Sequence, residues 1–164
     1  MEKLELKHLA PYLPYDLEFK SDDKTCILDE VIVGMNTVVD WDSNNHVINK
    51  IKPILVPMSM IDDCDIEYIL SVCLQNEGYR HIDMDSFEWA LIQNLDNKWI
   101  RGYHVDDKYF EITISDKGVK VYTNDIEGEA SPKNISIPYD VYEHFFMRHF
   151  DVFGLIGKGL AIAK

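Results

Sequence analysis

Residues 109–123 read YFEITISDKGVKVYT, and this stretch constrains the fold more than any other. Tyr109–Ser115 alternates apolar and polar positions, Asp116-Lys117-Gly118 is turn chemistry, and Val119–Thr123 returns with the same alternation. A connection this short joins antiparallel strands, because a parallel crossover needs a dozen residues or more. The chain therefore contains an antiparallel sheet, and the other segments are read against it. Leu17–Lys20, Thr25–Val33 and Thr37–Trp41 are rich in Val, Ile and aromatics and are separated by SDDK and GMN, so they predict further strands. DSNN at 42–45 predicts a turn into a short strand at His46–Ile48. Pro53 and Pro57 bracket Ile54–Val56, which predicts an edge strand or an extended connector.

Three segments predict helices. Ile66, Ile69, Leu70, Cys73 and Leu74 recur at helical spacing behind Asp62, Asp63 and Asp65, any of which can cap, and Asn76-Glu77-Gly78 ends the run. Asp85 followed by Glu88 resembles a capping box, with Phe87, Ala90, Leu91 and Leu95 as an apolar stripe. Pro138 opens a third helix to about Phe153, where Gly154 is placed to end it in the left-handed conformation. Near the amino terminus LELKHLA predicts a short helical turn stopped by Pro11, with Pro14 holding the next piece extended. Strands and helices without regular βαβ alternation predict an α+β fold. The expectation is a single domain over 1–164, with an antiparallel sheet of about 4–6 strands, including the 109–123 hairpin, packed by about three helices.

Composition narrows the chemistry. Sixteen basic residues against 29 acidic give a formal charge of -13. A field of that sign repels nucleic-acid phosphates and anionic membrane surfaces, so direct nucleic-acid binding is not expected. MEKLELKHLAPYLPY lacks the apolar core of a signal peptide, and no window approaches the roughly 20 apolar residues of a membrane span. Cys26, Cys64 and Cys73 make no CxxC and no paired framework; Cys64 and Cys73, if helical, fall on opposite faces. Buried, reduced thiols in a cytoplasmic protein are the simplest expectation.

Four chemistries are open to test by motif. GLIGKG at 154–159 suggests a phosphate cradle, but its glycines enclose only two residues, Gly159 stands where a hydroxyl is required, and the loop follows a helix. Asp40-Trp41-Asp42-Ser43-Asn44 imitates the start of a calcium loop, yet Asn45 replaces the required Gly and Ile51 the required Glu, so a turn between strands is the better reading. Three His-x-Asp pairs occur: His81 with Asp83, His104 with Asp106, and His149 with Asp151. Of these only His104 with Asp106 has the strand context that puts i and i+2 on one face, where metal or acid–base chemistry is possible. No HExxH, paired-cysteine zinc pattern or GxSxG elbow is present, and no Ser or Cys has a recognisable activated context. No catalytic, cofactor-binding or metal-binding residue is assigned on this basis, and no cofactor is implied.

LELKHLAPYLPY at 4–15, KPILVPMS at 52–59 and HFDVFGLIGKGLAI at 149–162 resemble blocks of a family of small bacterial proteins often encoded among phage or prophage genes. The chain departs from that pattern at Val56, where the family has a basic residue, and at Gly157, where it has an acidic one. The resemblance implies a context, an accessory protein of a mobile element or its host, and brings no catalytic residue. The expected function is thus a non-enzymatic accessory protein that binds another protein, with Phe145, Phe146, Phe150 and Phe153 either buried or forming a contact surface. The alternatives are an acidic mimic of nucleic acid that inhibits a DNA- or RNA-processing enzyme, and an enzyme or metal protein without a recognisable motif. Residues 16–135 are the variable middle in the resemblance.

Overall fold

The computed structural model describes residues 3–78, 88–95, 98–105, 108–115, 118–125 and 133–164. The fold is α+β. Among the described residues there are three α-helices and two sheets, of six and five strands. The chain divides into two compact units, Met1–Pro57 with Glu143–Lys164, and Met58–Tyr142.

The first unit opens with α1 (Leu6–Leu9) and a 3-10 helix over Ala10–Tyr15. The α-helix ends before Pro11 as expected, but the extended piece at Pro14 is overturned. Pro11 lies at the start of the 3-10 helix, where its missing N–H costs no bond, and the helical path runs on to Asp16, whose φ is 55°. Strands β1 (Glu18–Ser21), β2 (Lys24–Ile32), β3 (Thr37–Asp40) and β4 (Asn45–Val47) follow as a meander, close to the expected bounds. β5 (Ile51–Leu55) begins before the expected Ile54 and is no edge strand. It lies between β1 and the parallel β11 (Ile162–Ala163), giving the order β11-β5-β1-β2-β3-β4. Pro53 is tolerated there because β11 reaches only Ile54 and Leu55.

The inward face of this sheet follows from its register. Phe19 lies opposite Cys26, Leu28 opposite Asp40, and Val38 opposite His46, so all six share one face. Phe19, Leu28 and Val38 join Leu9, Tyr12, Leu17, Ile48, Leu55, Phe146 and Leu155 in the core. Distant segments are held together by directional bonds. The Tyr12 hydroxyl donates to the Phe150 carbonyl at 2.7 Å, and Val56 exchanges backbone bonds with His149 and Asp151. The three sequence blocks at 4–15, 52–59 and 149–162 thus meet in this unit, apart from Met58 and Ser59, which fall in the second.

The second unit contains α2 (Asp63–Asn76) and the antiparallel order β10-β9-β8-β7-β6. Asp62 caps α2 by accepting from the Asp65 N–H at 2.9 Å, and Asp65 returns the bond to the Asp62 N–H. Its buried side is the expected stripe of Ile66, Ile69, Leu70, Cys73 and Leu74. The hairpin is present as β8 (Lys108–Ser115) and β9 (Gly118–Asp125), extended on its two sides by β7 (Lys98–Val105) and the short β10 (Lys133–Ile135). The expected second helix is wrong: Glu88–Leu95 is strand β6, paired with β7. Its register shifts between Trp89 and Leu91, a bulge that breaks the two-residue period and leaves a spacing that imitates a helix. Phe87 and Asp85 lie outside the described residues.

The third helix, α3 (Tyr139–Met147), starts as expected but ends six residues before Phe153. His149, with a φ of 57°, supplies the left-handed residue assigned by sequence to Gly154, which is itself left-handed at 64°. Phe145, Phe146 and Phe150 are buried, whereas Tyr139, Tyr142 and Met147 are exposed.

Tyr12→Phe should destabilise the protein by about 1 kcal/mol, because it removes a buried hydrogen bond to the Phe150 carbonyl, which keeps only the Val152 N–H at 2.9 Å. Burial also pushes the Tyr12 hydroxyl pKa upward, outweighing a hydrogen bond in the Val152 backbone region. That raised value stabilises the fold fully below about pH 10 and is lost as pH rises beyond it. Urea unfolding should therefore show wild type losing stability more steeply than Tyr12→Phe above that pH.

Candidate metal centre

A carboxylate on the inward face of a sheet needs compensation, and Asp40 shows what supplies it. Val38 and Asp40 are the buried positions of β3, so the strand's two-residue period carries a charge to the edge of the core, where Asp40 is only 3 % exposed. The turn after it returns at Asn44, whose backbone N–H and side-chain amide both donate to Asp40 Oδ1, at 2.9 and 3.2 Å. Ser43 adopts a φ of 64° in this turn. β4 then pairs so that His46 lies opposite Val38, facing inward, and its Nε2 meets Asp40 Oδ2 at 2.9 Å. The other ring nitrogen, Nδ1, contacts Ser21 Oγ at 2.9 Å, and the Phe19 ring stands edge-on to the imidazole at 5.1 Å.

Cys26 completes the group. Its Sγ, a carboxylate oxygen of Asp40 and a ring nitrogen of His46 all lie within 4.8 Å of one another. Burial raises the Asp40 pKa, but hydrogen bonds from His46, Asn44 and Cys26 outweigh it and hold the carboxyl well below its usual range. Burial pushes the Cys26 thiol up, and its hydrogen bond to Asp40 and that residue's charge add to the effect. A raised thiol is the opposite of an activated nucleophile, so this environment does not make a catalytic cysteine.

Ser21, His46 and Asp40 form a linear hydrogen-bonded series like that of serine hydrolases. Its context differs. Ser21 is the last residue of β1, flanked by β2 and β5, on the same side as Phe19, rather than on a sharp turn that lifts a nucleophile out of its sheet. The better chemical description is a mixed sulfur, nitrogen and oxygen donor set with each ligand held from behind. Ser21 holds the far nitrogen of His46, and Asn44 holds Asp40 Oδ1. Such outer contacts fix the orientation of metal ligands.

The sequence-predicted candidates fall elsewhere. Asp40-Trp41-Asp42-Ser43-Asn44 is a turn between strands, as expected, yet its first and last residues do build the site. His104 lies on β7, opposite Glu88 and Tyr109, while Asp106 and the pair His81 and Asp83 lie outside the described residues. His149 and Asp151 follow α3 instead of lying in it, and they diverge. The His149 ring contacts the Tyr15 carbonyl, whereas the buried Asp151 carboxylate accepts from the Leu155 and Ile156 N–H groups at 2.7 and 2.8 Å. Two amides of the GLIGKG loop, those of Leu155 and Ile156, are therefore taken by an internal carboxylate. Nor are the three thiols all buried: Cys73 is, Cys26 is half-buried and Cys64 is exposed.

Cys26 and His46 were missed because they carry no motif spacing; the available signal was polar residues at three inward-facing strand positions. No family model, curated protein or solved structure matches the chain, so the chemistry of this site is the basis for a functional reading.

Asp40→Ala should destabilise the first unit by about 2–3 kcal/mol, since the bonds lost are made to a buried charge. Cys26→Ala should cost about 1 kcal/mol or less at its half-buried position. Urea titration of the two metal-free variants against wild type measures the order.

Proposed function

We propose that this protein is a metal-binding protein whose first unit holds one first-row transition metal ion of the zinc class, through Cys26 Sγ, Asp40 Oδ2 and His46 Nε2. The carrying observation is that one donor atom from each of the three residues lies within 4.8 Å of the others, with Ser21 on His46 Nδ1 and Asn44 on Asp40 Oδ1. A tetrahedral ion with bonds of about 2.0–2.3 Å keeps its donors roughly 3.3–3.7 Å apart, so small side-chain shifts accommodate it. The thiolate and imidazole favour zinc, cobalt or copper, whereas calcium and magnesium favour all-oxygen sites. The acidic balance of the chain, -13 overall, favours the approach of a cation.

Cobalt(II) reads this centre directly. Metal-free protein titrated with cobalt should develop the visible bands of a four-coordinate ion and a thiolate-to-metal band in the near ultraviolet, and zinc should displace both. Cys26→Ser should lose the near-ultraviolet band, and His46→Ala should weaken zinc binding by at least tenfold. A spectrum unaffected by either substitution would overturn the reading.

A second reading has a separate observation in its favour. Val33, Met35, Trp41 and Val47 are exposed large apolar side chains on the β2–β4 arm, at 85 %, 74 %, 60 % and 48 %. This supports an accessory role in binding another protein, in the phage or mobile-element context that the sequence blocks imply. A partner recovered from the native cell by wild type, and lost with Met35→Ser and Trp41→Ser together, would support it. Retention of that partner by the folded double variant would count against this surface.

A further inference from the structure

We infer that the metal centre has an open fourth position, filled by exchangeable water and selective for a neutral oxygen or nitrogen donor over an anion. This deepens the metal-binding reading and rests on it. Three arguments lead to it.

The first is the donor count. Among the described residues the group comprises Cys26, Asp40 and His46 alone. The polar side chains bonded to this group are committed to its ligands: Ser21 Oγ to His46 Nδ1, on the far side of the ring, and the Asn44 amide to the carboxylate of Asp40. An ion that prefers four ligands therefore takes its last one from outside. Three protein ligands plus water is the arrangement of reactive zinc sites, whereas purely structural sites close all four positions with protein.

The second is access. The side chain of Asp40 is 4 % exposed and that of His46 15 %, and Cys26 is half-buried. The site is closed behind Asp40 and reaches solvent beside His46 and Cys26. An outside ligand therefore has a path to the ion, while the carboxylate that anchors it stays fixed by Asn44.

The third is charge. A thiolate, a carboxylate and a neutral imidazole cancel the two charges of the ion, so the loaded centre is electrically neutral. A centre built from three imidazoles keeps both charges and draws anions strongly. This neutrality disfavours phosphate or carboxylate as the fourth ligand and leaves the position to water, an imidazole nitrogen or a carbonyl oxygen.

The cobalt-loaded wild type tests the inference with two probes, imidazole and inorganic phosphate. Imidazole should shift the visible bands saturably, and phosphate should require at least tenfold more for the same change. Bands that imidazole leaves unmoved would mean a closed centre and overturn the open position, with the metal reading intact. Equal response to phosphate would overturn the selectivity. Absence of any cobalt spectrum would remove the centre itself, and the inference with it.

Discussion

The candidate site depends on burying one charge. Asp40 sits on the inward face of β3, and the alternation of the strand leaves it no other place. An unpaired carboxylate there would cost several kcal/mol, so the elements around it supply partners: a turn that brings Asn44 back, an edge strand that brings His46 across from Val38, and the neighbouring strand that brings Cys26. These compensating groups are also good ligands for a borderline-soft cation. The structural requirement and the proposed chemistry thus use the same atoms, and the ion would replace hydrogen bonds that already hold the geometry.

The first unit is closed by contacts between segments far apart in the chain. Tyr12 reaches Phe150, Val56 bonds with His149 and Asp151, and β11 adds to β5. The turn after α3 is organised from within, because Asp151 fills the amide cradle of the GLIGKG loop with its own carboxylate. A sequence that looks like a phosphate loop therefore becomes a self-capped turn.

Legibility in the sequence varied with how local the cause was. The 109–123 hairpin and α2 were readable because alternation, turn residues, a capping aspartate and a helical stripe all lie within a few residues of each other. Glu88–Leu95 was misread because its good helix formers and bulge-shifted spacing outweighed a strand signal that only pairing with β7 supplies. Pro53 suggested an edge, but its neighbour on that side is β11, over a hundred residues later. The metal centre was half visible. Asp40 and Asn44 stood in a recognised motif with the wrong implied chemistry, and Cys26 and His46 stood in none.

The sequence by itself determined the α+β class, most strand and helix positions, and the absence of the local patterns that mark a phosphate loop or a calcium loop. Those properties depend on short-range spacing, which one chain displays directly. Only the tertiary structure decided which polar residues meet. Ser21, Cys26, Asp40 and His46 come from four strands, and their convergence follows from strand register, which is set by pairing and a bulge in β2. A shift of one residue would turn each of these side chains to the opposite face, so the site belongs to the register and not to any motif.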